Sequence, residues 1–171
     1  MNFNYNLGTI CTCSPECIGF QVAPNPAGPG SFAWPTANRA FFFPFSLARP
    51  MLCAQLFNYN GGTASGNLDI GIYAEDGTRL HSTGSTAQSG TNALQVINPT
   101  DKIIPAGQLF LALAMDGTTG TVAGTNPSLH TLRQAGALIM DTAFPLPAVA
   151  TFAAWANAIF PIFGFTSKTV I

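Results

Sequence analysis

Charge is what this chain has least of. Asp, Glu, Lys and Arg make up 8% of its 171 residues, against about 25% in ordinary soluble domains. Six basic and seven acidic side chains leave a formal net charge of −1. That excludes the basic stripe that holds nucleic acid or an anionic membrane surface. Histidine is reduced to His81 and His130, far apart in the sequence. Motifs are missing as well. There is no Gly-x-Ser-x-Gly elbow to activate a serine, and no glycine loop in the strand-to-helix setting that cradles phosphate. Asn98 and Asn126 precede proline, which blocks N-glycosylation. No heptad pattern offers a coiled coil. The opening MNFNYNLG has no basic residue ahead of an apolar run, so it does not read as a secretory leader. These absences fit a protein assembled in a bacterial cytoplasm.

What the chain has in quantity is apolar surface. The hydrophobic fraction is 47%, and mean hydropathy is +0.30. A domain of this length buries roughly 70% of its unfolded surface. Near-zero net charge with leftover apolar surface favours association, and the expectation is a face covered by other subunits.

Residues 67–80, NLDIGIYAEDGTRL, give the clearest structural signal. Leu68, Ile70 and Ile72 alternate with Asp69, Gly71 and Tyr73, the period of a strand with one buried face. Asp76-Gly77 tolerates the positive φ of a tight turn, and 78–82 returns with Leu80 pointing inward. Residues 39–59 hold two more strands. Phe41, Phe43, Phe45 and Leu47 share one face of the first, with Phe42 opposite. In the second, Leu52, Ala54 and Leu56 oppose Cys53, Gln55 and Phe57. Pro44 confines the first strand to an edge or a bulge. Leu94 and Val96 mark a short strand. Along 108–115, Leu109, Leu111, Leu113 and Met115 oppose Phe110, Ala112 and Ala114. Two apolar faces predict a central strand covered on both sides.

The remainder is irregular. Residues 1–35 carry Pro15, Pro24, Pro26, Pro29 and Pro35 with Gly28 and Gly30, a density that breaks ladders and helices. They read as an extended arm ahead of a domain over 36–171, with room for one short strand at 19–23. Phe3, Tyr5, Phe20, Phe32 and Trp34 give the arm an aromatic content suited to binding rather than disorder. Residues 118–132 read as a long Gly/Thr/Asn loop and 135–141 as a strand. Residues 142–167 contain no charge, yet Pro145, Pro147, Pro161 and Asn157 argue against a membrane span. Two strands over 149–155 and 159–165 suit them better than a short helix over 147–160. About eight short strands separated by Gly, Pro and Asn predict an all-β antiparallel sandwich or barrel.

The ordered set formed by the strands at 40–59, the NLDIGIYAEDGTRLHSTGST hairpin and PAGQLFLALAMDG resembles the jelly-roll β-sandwich domains of tailed-bacteriophage virion proteins. Those domains occur in capsid decoration (cement) proteins and tail-fibre knobs. The likeness covers about residues 38–141, with its closest matches over 67–80 and 104–117. It implies a jelly-roll-like antiparallel β-sandwich with an extended N-terminal arm. The implied protein is a virion component that cements the capsid, built as a homo-oligomer, a trimer by expectation. It would contact the major capsid protein or another virion protein, and neither nucleic acid nor membrane. The alternative is a tail-fibre or spike component that binds a host-surface glycan.

No catalytic, cofactor-binding or metal-binding residue is expected, and no enzyme. Cys11, Cys13 and Cys17, with the distant Cys53, lack the knuckle spacing of a zinc site. They read as reduced apolar residues, with a disulfide involving Cys17 or a bound metal as alternatives. Asp69, Asp101, Asp116 and Asp141 have no activated nucleophile to serve, and Glu75-Asp76 reads as a turn. Trp34 and Trp155 read as core or subunit-contact residues before they read as platforms for sugar.

Overall fold

The computed structural model describes residues 30–167. The readings placed on 1–29, including the strand at 19–23 and the first three cysteines, lie outside them. Strands take 51% of the described residues and helix 4%, and the architecture is an all-β antiparallel sandwich as expected.

The largest sheet is organised around three long strands, β2 (Ala40–Leu47), β9 (Gly107–Met115) and β4 (Asn67–Ala74). β9 lies between the other two, pairing Phe41 with its Leu113 and Ile70 with the same residue from the other side. β5 (Arg79–Ser82) and β6 (Thr86–Ala87) extend the sheet beyond β4, and β11 (Leu138–Met140) and β12 (Ala153–Ala154) extend it beyond β2. The opposing layer is built on β3 (Met51–Tyr59), with β14 (Phe163–Ser167) on one side and β7 (Leu94–Ile97) and β8 (Lys102–Ile104) sharing the other. A third sheet of β1 (Gly30–Ala33), β10 (Thr121–Thr125) and β13 (Phe160–Pro161) continues that layer through a bridge between Asn60 and Val122. Thus the end of the expected arm, residues 30–33, is tied to the sandwich body as a paired strand.

The core between the layers contains the face read from the sequence: Phe41, Phe43 and Leu47 from β2, Leu68, Ile70 and Ile72 from β4, and Leu109, Leu111, Leu113 and Met115 from β9. Trp34 and Trp155 are buried there too, each against the Phe41 ring at centroid distances of 4.3 and 4.4 Å. Phe163 and Phe165 enter from β14.

The second face of the large sheet is also filled. Ala40, Phe42, Tyr73, Ala112 and Ala114 are covered by Ala143, Leu146 and Ala150, with Phe152 packed on Phe42 and Phe110. The cover is therefore a strap from the same chain, running over residues 142–152.

Three local readings are corrected, and the expected edge position of Pro44 is explained. The pairing of β3 with β14 slips between Gln55 and Cys53, so the alternation switches phase. Cys53 and Leu56, three residues apart, both reach the core, whereas Leu52 and Ala54 do not. A bulge adds one residue to a strand and turns the following side chains over. Pro44 is tolerated because β11 pairs only with Ala40–Phe42, leaving Pro44 unflanked on that side. The loop expected over 118–132 contains β10 and the start of a six-residue helix, α1 (Leu129–Gln134), whose N-cap Ser128 accepts the Thr131 N–H at 3.1 Å. The strands expected over 149–155 and 159–165 shrink to β12, β13 and β14, because most of the first stretch is strap.

Phe41 touches both tryptophans and is fully buried. Phe41→Ala is expected to lower stability by about 3–5 kcal/mol, the cost of an aromatic-sized cavity, measured by denaturant unfolding. Leu94→Ala, at a side chain 53% exposed, is expected to stay within about 0.5 kcal/mol.

Candidate functional site

The titratable groups fall into structural positions. Asp69 sits in the middle of β4 on the strap side and is fully buried. Its Oδ2 accepts the Leu146 N–H at 3.0 Å and its Oδ1 the Thr83 hydroxyl at 3.1 Å. Burial pushes its carboxyl above the usual range, partly offset by these hydrogen bonds and the nearby Arg79. Around it the hairpin grips the strap. Tyr73 donates its hydroxyl to the Pro147 carbonyl at 2.7 Å, the Arg79 N–H bonds Ala148 O at 2.9 Å, and the Arg79 guanidinium bonds the Leu146 carbonyl. The Ala150 N–H reaches Gly77 O at 2.8 Å. Gly71 makes room for the strap: a Cβ there would lie 2.8 Å from the Leu146 side chain. Gly77, at φ +87°, completes the expected Asp76-Gly77 turn, where Asp76 accepts the Thr78 N–H at 2.8 Å. Asp76 and Asp69 thus act as a turn former and a strap anchor.

His81 lies on β5 with its Nε2 buried and without a hydrogen-bond partner. Burial, then the neighbouring Lys102, holds its pKa below the usual value. Cys53 is a buried free thiol pushed up to about 12, mainly by desolvation and then by Asp101. A thiol so protonated is a poor nucleophile near neutral pH. Among the described residues no three His, Cys, Asp or Glu side chains converge on a point that would hold a metal. Arg39 pairs with Asp141 at 2.6 Å and bonds Asn157 at 2.9 Å, tying the start of β2 to the end of β11 and to the segment that follows Trp155. With both tryptophans buried, neither offers a platform to a sugar.

A neutral amide cluster, not anticipated from sequence, pins the loops at the other end. Asn60 accepts from Asn58 at 2.8 Å and from Gln88 at 3.0 Å, and donates to Ser89 O at 2.6 Å and to Gln95 at 3.0 Å. Gln88 also reaches Thr121 O at 2.7 Å. It is charge-free and bonded internally except at Asn58 Oδ1, which is buried without a partner, and it staples the loops together.

What remains is a surface. The outer face of the β3 layer carries the cross-strand pairs Tyr59–Leu94, Phe57–Val96 and Leu52–Ile103. Leu94, Val96 and Ile103 are 53, 43 and 66% exposed. Gln55 and Asn98 rim the patch, joined at 2.9 Å. The sequence marked Leu94 and Val96 only as strand residues. Their outward facing follows from Gln95 and Ile97 being drawn inward, to the amide cluster and the core. The strap closes the outside of the large sheet, and on the outside of the β3 layer Leu94, Val96 and Ile103 stand exposed around the buried Phe57, the make-up of a contact surface. No family model, curated protein or solved structure matches the chain.

Two measurements check these assignments. Asp69→Ala leaves the buried Leu146 N–H without an acceptor and is expected to cost about 1–3 kcal/mol, read as a lower denaturant midpoint. The depressed His81 pKa means its stabilising effect is complete above the unfolded value of 6.5 and fades as pH falls below it. Wild-type protein should therefore lose stability between pH 7.5 and 5.5 by more than His81→Gln does. Equal losses would assign the dependence elsewhere.

Proposed function

We propose that this protein is a structural component of a tailed-bacteriophage virion, a decoration or cement protein that binds the capsid surface in many copies. The observation that carries the reading is the bare apolar face of Leu94, Val96 and Ile103 on a domain whose chain is 8% charged. Such a face stabilises contacts at roughly 25 cal/mol per Å² buried. Supporting it are the resemblance of residues 38–141 to jelly-roll virion domains and an aromatic-bearing segment ahead of β1. The working unit is a homo-oligomer, taken here as a trimer, seated on the major capsid protein, and its mechanism is binding alone. The sandwich is the rigid body, and multiple copies on a repeating shell add avidity that one small patch lacks.

The test is to mix purified protein with expanded capsids that lack it. Saturable co-sedimentation, and capsids that resist a higher temperature once occupied, are expected. Removing residues 1–29 should weaken occupancy at least tenfold, about 1.4 kcal/mol. Failure of the intact chain to bind capsids would contradict the reading. Binding to host cells instead would favour a tail-fibre role.

A further inference from the structure

Residues 2–7 read Asn-Phe-Asn-Tyr-Asn-Leu, a strict alternation that puts Phe3, Tyr5 and Leu7 on one side of any extended backbone. We propose that this stretch of one copy adds as a strand along the outer edge of β7 in a neighbouring copy. Its apolar side chains would then continue, on the outer face, the row formed by Leu94 and Val96. The inference rests on the multi-copy reading above and identifies the surface through which the copies hold one another.

Three observations point to this occupant. First, β7 pairs only with β3, so its other edge is open to strand addition. Second, neither residues 2–7 nor β7 carries a charged side chain. Asn2, Asn4 and Asn6 would fall on the opposite side of the added strand, the side that Gln95 takes in β7. Third, the spacing suits exchange between copies. β1 already starts beside its own patch, because Ser31 accepts the Gly62 N–H at 2.9 Å and Gly62 adjoins Asn92, whose carbonyl takes the Tyr59 hydroxyl at 3.1 Å. A few residues would suffice to fold back there. The chain instead has about 20 residues between Leu7 and Gly30, stiffened by Pro15, Pro24, Pro26 and Pro29. At about 3 Å per residue a proline-rich chain of that length spans about 60 Å. A domain of this size is about 35–40 Å across. The reach therefore matches a neighbour's face better than its own.

The test uses the full-length chain with benzoylphenylalanine in place of Tyr5. On irradiation, the cross-linked product is expected to run as dimer or larger, with the cross-link on a peptide from residues 94–104. Cross-linking confined to the monomer band, or to the strap, overturns the proposal. Sedimentation velocity supplies the second arm. Val96→Lys, and separately the combined Phe3→Ser, Tyr5→Ser and Leu7→Ser variant, should each weaken self-association at least tenfold while leaving the β circular-dichroism spectrum intact. Unchanged association in either variant overturns it. A chain that associates through this face yet leaves capsids bare upholds the inference and removes the virion reading. Capsid binding by chains whose association ignores Val96→Lys does the reverse.

Discussion

The constraint that shapes this molecule is that the sheet of β2, β9 and β4 is buried on both faces. Phe41 and Phe42 are neighbours in sequence, point in opposite directions, and are both fully buried. A sheet of that kind cannot leave either side to water, since each large side chain gains about 1.5–3 kcal/mol from burial. One face is met by the β3 layer. For the other, the chain supplies its own cover, the strap over 142–152. That segment has few backbone partners of its own, so it must be gripped by the sheet it covers. Asp69, Tyr73, Arg79 and Gly77 supply that grip. A buried carboxylate is costly unless hydrogen-bonded, and here it sits where the strap's Leu146 N–H needs an acceptor.

This arrangement explains the oddest feature of the sequence, an uncharged run from 142 to 167. Its first part lies on the outside of the large sheet. It then crosses through β12 to put Trp155 into the central core, and finishes as β14 with Phe163 and Phe165 facing inward. A stretch buried first in one layer and then in another has no position for a charge. No helix among the described residues is long and apolar enough to cross a membrane.

Much of the fold was legible in the sequence, and the misses have physical causes. Alternation in β2, β4 and β9 gave the correct faces, because long strands between two apolar layers show period two without interruption. The two-sided burial of β9 was legible for the same reason, but not what covers it. The inference from low charge pointed to sister subunits, whereas the strap covers that face within the chain. β3 misled because a bulge shifts its phase by one residue, which no local pattern signals. β10, with its small residues Thr121–Thr125, and the short helix behind Ser128 were hidden in a loop-like composition. The Ser128-x-x-Thr131 capping contact was the one available sign. The amide cluster was illegible, since Asn58, Asn60, Gln88 and Gln95 meet only through tertiary structure. The exposed patch was half legible: Leu94 and Val96 were seen as strand residues, but their outward direction depends on that cluster drawing Gln95 in.

One side of the large sheet is closed by the chain itself, and of the four large apolar side chains exposed among the described residues three stand on the β3–β7–β8 face and one, Val149, on the strap. The account therefore depends on the strap being part of the folded body and not a loose loop. Hydrogen–deuterium exchange of the free chain, resolved to the amides of Leu146 and Ala150, tests this most directly. Protection approaching that of Leu111 and Leu113 in β9 is the predicted result. Exchange at the rate of an open loop would show the second face uncovered and contradict the account.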